Sequence, residues 1–99
     1  MLYAIISRDT ENSLDRRLTA RAGHLQRLQE LKESGRLVLA GPHPAIDALE
    51  PGPAGFTGSL VVAEFYSLED ARQWANDDPY ITAGVYAEVL VKPFKKVLP

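Results

Sequence analysis

The chain has 99 residues, 45% of them apolar, a formal net charge of −2 and no cysteine. That length sets one domain, residues 1–99, with a modest core. The slight acidity leaves no electrostatic footprint for nucleic acid or an anionic membrane surface, and the missing cysteine excludes disulfides, thiolate nucleophiles, zinc–sulfur sites and iron–sulfur clusters.

Leu2 to Arg8 is short, β-prone and bounded by Asp9-Thr10-Glu11-Asn12, which reads as a first strand. Its apolar start is too short for a signal segment or a membrane span, so a cytoplasmic location is expected. From about Ser13 to Ser34, Leu18, Ala22, Leu25 and Leu28 recur at three- and four-residue steps, the spacing of an amphipathic helix. Ser13 or Asn12 can cap its start, and Gly35 its end. Arg36 to Ala40 reads as a second strand, stopped by Gly41-Pro42.

The stretch from His43 to about Thr57 holds Pro44, Pro51, Gly52, Pro53 and Gly55. A connection of that length is usually functional or mobile. Gly58 to Phe65 is a third strand, built on Leu60-Val61-Val62-Ala63. Ser67 starts a second helix with Asp70 as its capping-box partner, and Leu68, Ala71, Trp74 and Ala75 form the apolar face. Pro79 and the residues before it end that helix. Val85 to Val91 is the fourth strand, and Lys92-Pro93-Phe94-Lys95-Lys96 a basic tail leaving the sheet.

The order β-α-β-β-α-β is the ferredoxin-like, split βαβ pattern. Right-handed crossovers put both helices on one face of a four-stranded antiparallel sheet, with strands one and three central. The other face has no helix to cover it and carries apolar side chains. A homodimer through this helix-free face is the expected solution.

The same topology gathers polar residues at one end: His24, Gly41, Pro42, Ser59, Asp77, Asp78, Tyr80 and Gly84. A carboxylate beside an imidazole makes a pair that moves protons near neutral pH, and either aspartate can serve. His24 shares a helical stripe with Leu28, Leu31, Arg21 and Arg17, and the two arginines can attract an anionic substrate. Plainer readings stand beside these. Asp77-Asp78-Pro79 also suits a helix exit, and Arg17 and Arg21 a solvated face paired with Asp15. Trp74 reads as core and His43 as exposed. No phosphate-cradling glycine pattern and no close pair of metal ligands occurs, so neither cofactor nor metal is expected.

Several segments in order carry a resemblance: Arg21-Ala22-Gly23-His24-Leu25, Gly35-Arg36-Leu37, Ala40-Gly41-Pro42, Gly55-Phe56-Thr57-Gly58-Ser59, Asp77-Asp78-Pro79-Tyr80, Ala83-Gly84-Val85 and Val91-Lys92-Pro93-Phe94. Together they resemble the YCII-related family of the dimeric α+β barrel group over nearly the whole chain. Ala22-Gly23 departs from the family's proline after the arginine, which bears on helix entry. The resemblance implies a ferredoxin-like subunit, a dimer and a pocket with a His–Asp pair, here His24 and Asp78. It also implies a scaffold able to support proton abstraction with elimination, since one relative in chloroaromatic degradation is a dehydrochlorinase.

Three functions follow as expectations. The first is a cofactor-independent enzyme with His24 as general base, Asp78 orienting it, and Arg21 or backbone N–H groups near Gly41 holding an oxyanion. Pro42, Ser59, Tyr80 and Gly84 complete its expected binding set, and elimination or isomerisation of a small aromatic or anionic molecule its expected chemistry. The second is a non-catalytic binder using the same pocket. The third is a small dimer serving a larger partner.

Overall fold

The computed structural model describes residues 1–99. Its elements are β1 (Leu2–Asp9), α1 (Leu14–Glu33), β2 (Leu37–Pro44), β3 (Phe56–Glu64), α2 (Leu68–Asn76), α3 (Pro79–Thr82) and β4 (Tyr86–Phe94), with a 3-10 turn at Gly52–Ala54. The four strands form one antiparallel sheet in the order β2-β3-β1-β4, the ferredoxin-like α+β arrangement expected. No helix is long and apolar enough to cross a membrane.

Alternation along the strands decides which residues meet the helices. Tyr3 and Ile5 of β1 pair with Ala63 and Val61 of β3, and all four join one buried cluster with Leu31 of α1 and Ala71 and Ala75 of α2. Val89 and Val91 of β4 pack against that cluster. Both long helices therefore cover the same sheet face. The alternate positions point away: Leu60, Ile6 and Leu90 stand in one cross-strand row, with Ile6 38% and Leu90 43% exposed. Val61, Val89 and Val91 are thus helix-facing, and the apolar outer row is narrower than a count of strand hydrophobes suggests.

Three strand boundaries differ from expectation by two residues or more. β2 continues through Gly41-Pro42 to Pro44, and β4 runs on through Lys92-Pro93 to Phe94. The reason is position: β2 and β4 are the edge strands, where a residue without an N–H can stay in the ladder. The basic tail therefore begins only at Lys95. β3 starts at Phe56, two residues before Gly58. At Gly58 a Cβ would lie 2.1 Å from the Ser7 carbonyl oxygen, so β1 and β3 approach too closely there for any side chain.

Helix ends follow local chemistry. Ser67 accepts a hydrogen bond from the Asp70 N–H at 3.1 Å, so α2 is capped as its sequence indicates. Ser13 occupies the N-cap of α1 in a helical rather than extended conformation and makes no cap bond; its hydroxyl donates to Asp9 at 2.6 Å. Gly35 closes α1 with φ +73°, a left-handed conformation that favours glycine. The buried positions of α1 are Arg17, His24 and Leu31, spaced by two turns. Leu18 and Leu25, expected on the core face, are 63% and 43% exposed, because they line an open cavity rather than the core.

Candidate functional site

Between α1 and the β2–β3 half of the sheet lies a cavity of about 370 Å³. Its roof is the α1 stripe Arg17, Arg21 and His24, and its floor includes Gly41, Pro42, Ser59 and Val61. Tyr80 from α3 closes one side, and Glu50 and Phe56 border it from the long connection and its exit. Of the residues expected at this end, Arg21, His24, Gly41, Pro42, Ser59 and Tyr80 line this cavity. Gly84 does not: its carbonyl accepts from Thr10 Oγ1 at 2.9 Å and from Arg16 Nη1 at 3.2 Å, tying the end of β1 to the chain entering β4.

His24 Nδ1 lies 2.9 Å from both carboxylate oxygens of Asp78. Local sequence sets this up. Pro79 ends α2 and opens α3, and Asp78 becomes the α3 N-cap, its Oδ1 accepting from the Tyr80 N–H at 2.9 Å. Asp77 points elsewhere, accepting from Gln73 Nε2 at 3.0 Å on the surface. The buried partner of His24 is therefore Asp78.

Arg27 adds a cation to the pair. Its Nη1 donates to Asp78 Oδ2 at 3.2 Å, its Nη2 to the Trp74 carbonyl at 2.7 Å, and it lies over the Trp74 ring at 4.3 Å. Burial pushes the Asp78 carboxyl up, but the His24 hydrogen bond and charge, the Tyr80 N–H and Arg27 outweigh it and leave it below its usual range.

An ionised carboxylate can only accept, so Nδ1 carries the proton. In the neutral ring Nε2 is then the basic nitrogen. It makes no hydrogen bond to the protein, and His24 is one of the residues lining the cavity. The ring itself is only 8% exposed and stacks on Tyr80.

Beside this pair sits a second buried one. Arg17, 6% exposed, donates through Nε to Asp9 Oδ2 at 2.6 Å and through Nη2 to Asp9 Oδ1 at 2.9 Å. Nη2 also reaches the Gly58 carbonyl at 2.8 Å and Ser59 Oγ at 3.0 Å. The solvated-face reading of Arg17 with Asp15 is thus corrected: its partner is Asp9, across the turn that joins β1 to α1. Burial pulls the guanidinium down, yet the Asp9 hydrogen bond and charge raise it overall, so it is a permanent cation. Tyr86 stands against both pairs, its phenol pushed up to about 12 by burial against the pull of Ser59, Arg17 and Ser7. Arg27 and Tyr86 have no local sequence signal. The pairing of Asp9 with Arg17 likewise has none, because Asp9 lies on β1 and Arg17 on α1.

The fold is that of a small ferredoxin-like α+β protein, with the His24–Asp78 pair beside a cavity under α1. The chain belongs to the YCII-related domain family, whose model matches residues 1–95. It is 60% identical over 97 residues to Protein YciI of Escherichia coli O6:H1, covering 98% of this chain and 99% of that one. It is 55% identical over 97 residues to an uncharacterized protein of Haemophilus influenzae, with the same coverage. Among solved structures it is similar to the 5-chloro-2-hydroxyhydroquinone dehydrochlorinase TftG of Burkholderia phenoliruptrix AC1100, in complex with 2,5-dihydroxybenzoquinone. The TM-score is 0.84 at 28% identity, over 96% of this chain and 94% of that one.

Proposed function

We propose that this protein is a cofactor-independent acid/base enzyme acting by elimination or isomerisation on a small aromatic or anionic molecule. One observation carries the reading: His24, on the cavity wall, is held through Nδ1 by Asp78 at 2.9 Å, which leaves Nε2 as its unpaired nitrogen. Nε2 takes a proton from the substrate, and the electron pair left behind forms the new double bond. In elimination the leaving group departs with its own pair, and the imidazolium later gives its proton to water. In isomerisation that proton returns at a second position. Asp78 keeps the tautomer and stabilises the imidazolium, and Arg21 holds developing negative charge on substrate oxygen. Pro42, Ser59 and Tyr80 shape the binding surface.

The likeness to a dehydrochlorinase holding a dihydroxybenzoquinone supports this chemistry and a ring-sized ligand. The protein works as a homodimer, its two sheets packed through the row Leu60, Ile6 and Leu90. The test is turnover of a panel of chlorinated hydroquinones, followed by chloride release and ring absorbance. Wild type is expected to turn over at least one member, and His24→Ala to abolish that turnover without loss of fold. Ligand binding with no turnover in wild type would instead make the protein a binding module.

A further inference from the structure

Arg17 is held more firmly than a salt bridge alone requires. Asp9 grips Nε and Nη2, and Ser13 in turn donates to Asp9 at 2.6 Å. Rings of Phe56, Tyr80 and Tyr86 stand around the guanidinium at 5.3, 5.2 and 6.0 Å from its central carbon. The third nitrogen, Nη1, has no hydrogen bond, and since no sealed polar side-chain atom lacks a partner it remains reachable. Arg17 is one of the residues lining the cavity, and Nη1 is its one unpaired nitrogen.

Its place along the cavity is set by the helix. Arg17 and His24 are two turns apart, about 10.5 Å of rise. Tyr80 fills that interval, stacked on the imidazole at 4.0 Å and facing the guanidinium at 5.2 Å. Arg21 lies on the turn between them, lines the same cavity, and has neither an ion pair nor a hydrogen bond to a carboxylate. The cavity thus has a basic end at His24 and a cationic end at Arg17.

We infer that the Arg17–Asp9 pair is a built anion subsite, in which Nη1 of Arg17 is a fixed donor that, together with Arg21, takes a carboxylate or phenolate oxygen of the ligand at the end away from His24. This rests on the acid/base reading only for the name of the opposite end. A locked guanidinium loses little side-chain freedom on binding, whereas Arg21 must be ordered by the anion. The ligand class follows: a small, flat molecule with an anionic oxygen on one side and its acidic hydrogen on the far side. Glu50 is the one carboxylate lining the cavity; it is exposed at the rim and opposes an anion there.

The probe is benzoate, with benzyl alcohol as its neutral counterpart, followed by thermal shift and by NMR of the Arg17 Nε–H. Benzoate is expected to bind in preference to benzyl alcohol and to move the Arg17 signal. Arg17→Lys, which keeps charge but loses the fork, is expected to weaken benzoate about tenfold. Glu50→Gln, at an exposed position that leaves the fold alone, is expected to tighten it about two- to threefold. It keeps the inference testable if Arg17→Lys does not fold. His24→Ala is expected to keep benzoate binding while losing turnover, so the subsite and the acid/base reading can fail separately. The inference is overturned if benzoate gains nothing over benzyl alcohol. It is equally overturned if the Arg17 signal stays still while Arg21→Gln abolishes binding, or if Glu50→Gln changes nothing.

Discussion

The imidazole of His24 and the ring of Tyr80 stack with centroids 4.0 Å apart and planes 8° from parallel. The same Tyr80 gives its backbone N–H to Asp78. One residue therefore touches both members of the pair, the imidazole through its ring and the carboxylate through its backbone N–H. Replacing the ring removes the stack but leaves the backbone N–H to Asp78, whereas removing only the hydroxyl keeps both. Tyr80→Ala is expected to cost about 3 kcal/mol by opening a cavity at a position 2% exposed. Tyr80→Phe should stay within about 1 kcal/mol and keep turnover. Urea unfolding of the two variants compares them, and equal losses would mean the stack contributes nothing.

The Asp78 carboxyl is held below its ordinary value of 3.8, so folding favours its charged form. The sign follows. The unfolded chain binds the proton more readily, so this stabilisation is complete above the unfolded value and is lost as pH falls through the folded one. Asp78→Asn should therefore destabilise the protein at pH 5 by an amount of order 1 kcal/mol, and the gap to wild type should close toward pH 2. Denaturant titrations at both ends measure it. A gap that stays constant would show that the charge of Asp78 plays no part.

Gly58→Ala should be among the most damaging small substitutions. The added carbon meets the Ser7 carbonyl oxygen at 2.1 Å, a contact with backbone that no rotamer relieves. A loss of about 3 kcal/mol is expected. Because the Gly58 carbonyl also accepts from Arg17, the shift reaches the cavity. Thermal unfolding reads the loss, and a variant as stable as wild type would contradict the close strand approach.

Leu90→Asp tests self-association. Leu90 is 43% exposed on the face away from the helices, opposite Ile6, so a charge there leaves the core intact. Wild type is expected to sediment as a dimer at micromolar concentration and the variant as a folded monomer. A wild-type monomer would end the face-to-face reading.

The topology was legible because each strand is short and bounded by turn residues and each helix keeps an apolar repeat. Strand ends were less so. Pro42 and Pro93 read as stops, since only the finished sheet shows that β2 and β4 have one neighbour each. The stripe of α1 was half legible. Leu18 and Leu25 follow helical spacing as core residues do, but they face the cavity, while the seam that packs inward passes through Arg17. A single sequence gives a buried arginine the look of a solvated one until Asp9 is brought across the turn. The convergence of His24 and Asp78 on one end could be read from connectivity. The choice of Asp78 over Asp77 depended on which carboxylate capped α3.

The prolines of the edge strands bear on how such a molecule keeps company with itself. Pro42, Pro44 and Pro93 each withdraw one backbone donor from an outer rail of the sheet. A neighbouring chain that tried to lengthen the sheet sideways would meet gaps in the row of amides it needs. Growth into ribbons or fibres is therefore discouraged at both margins of the sheet.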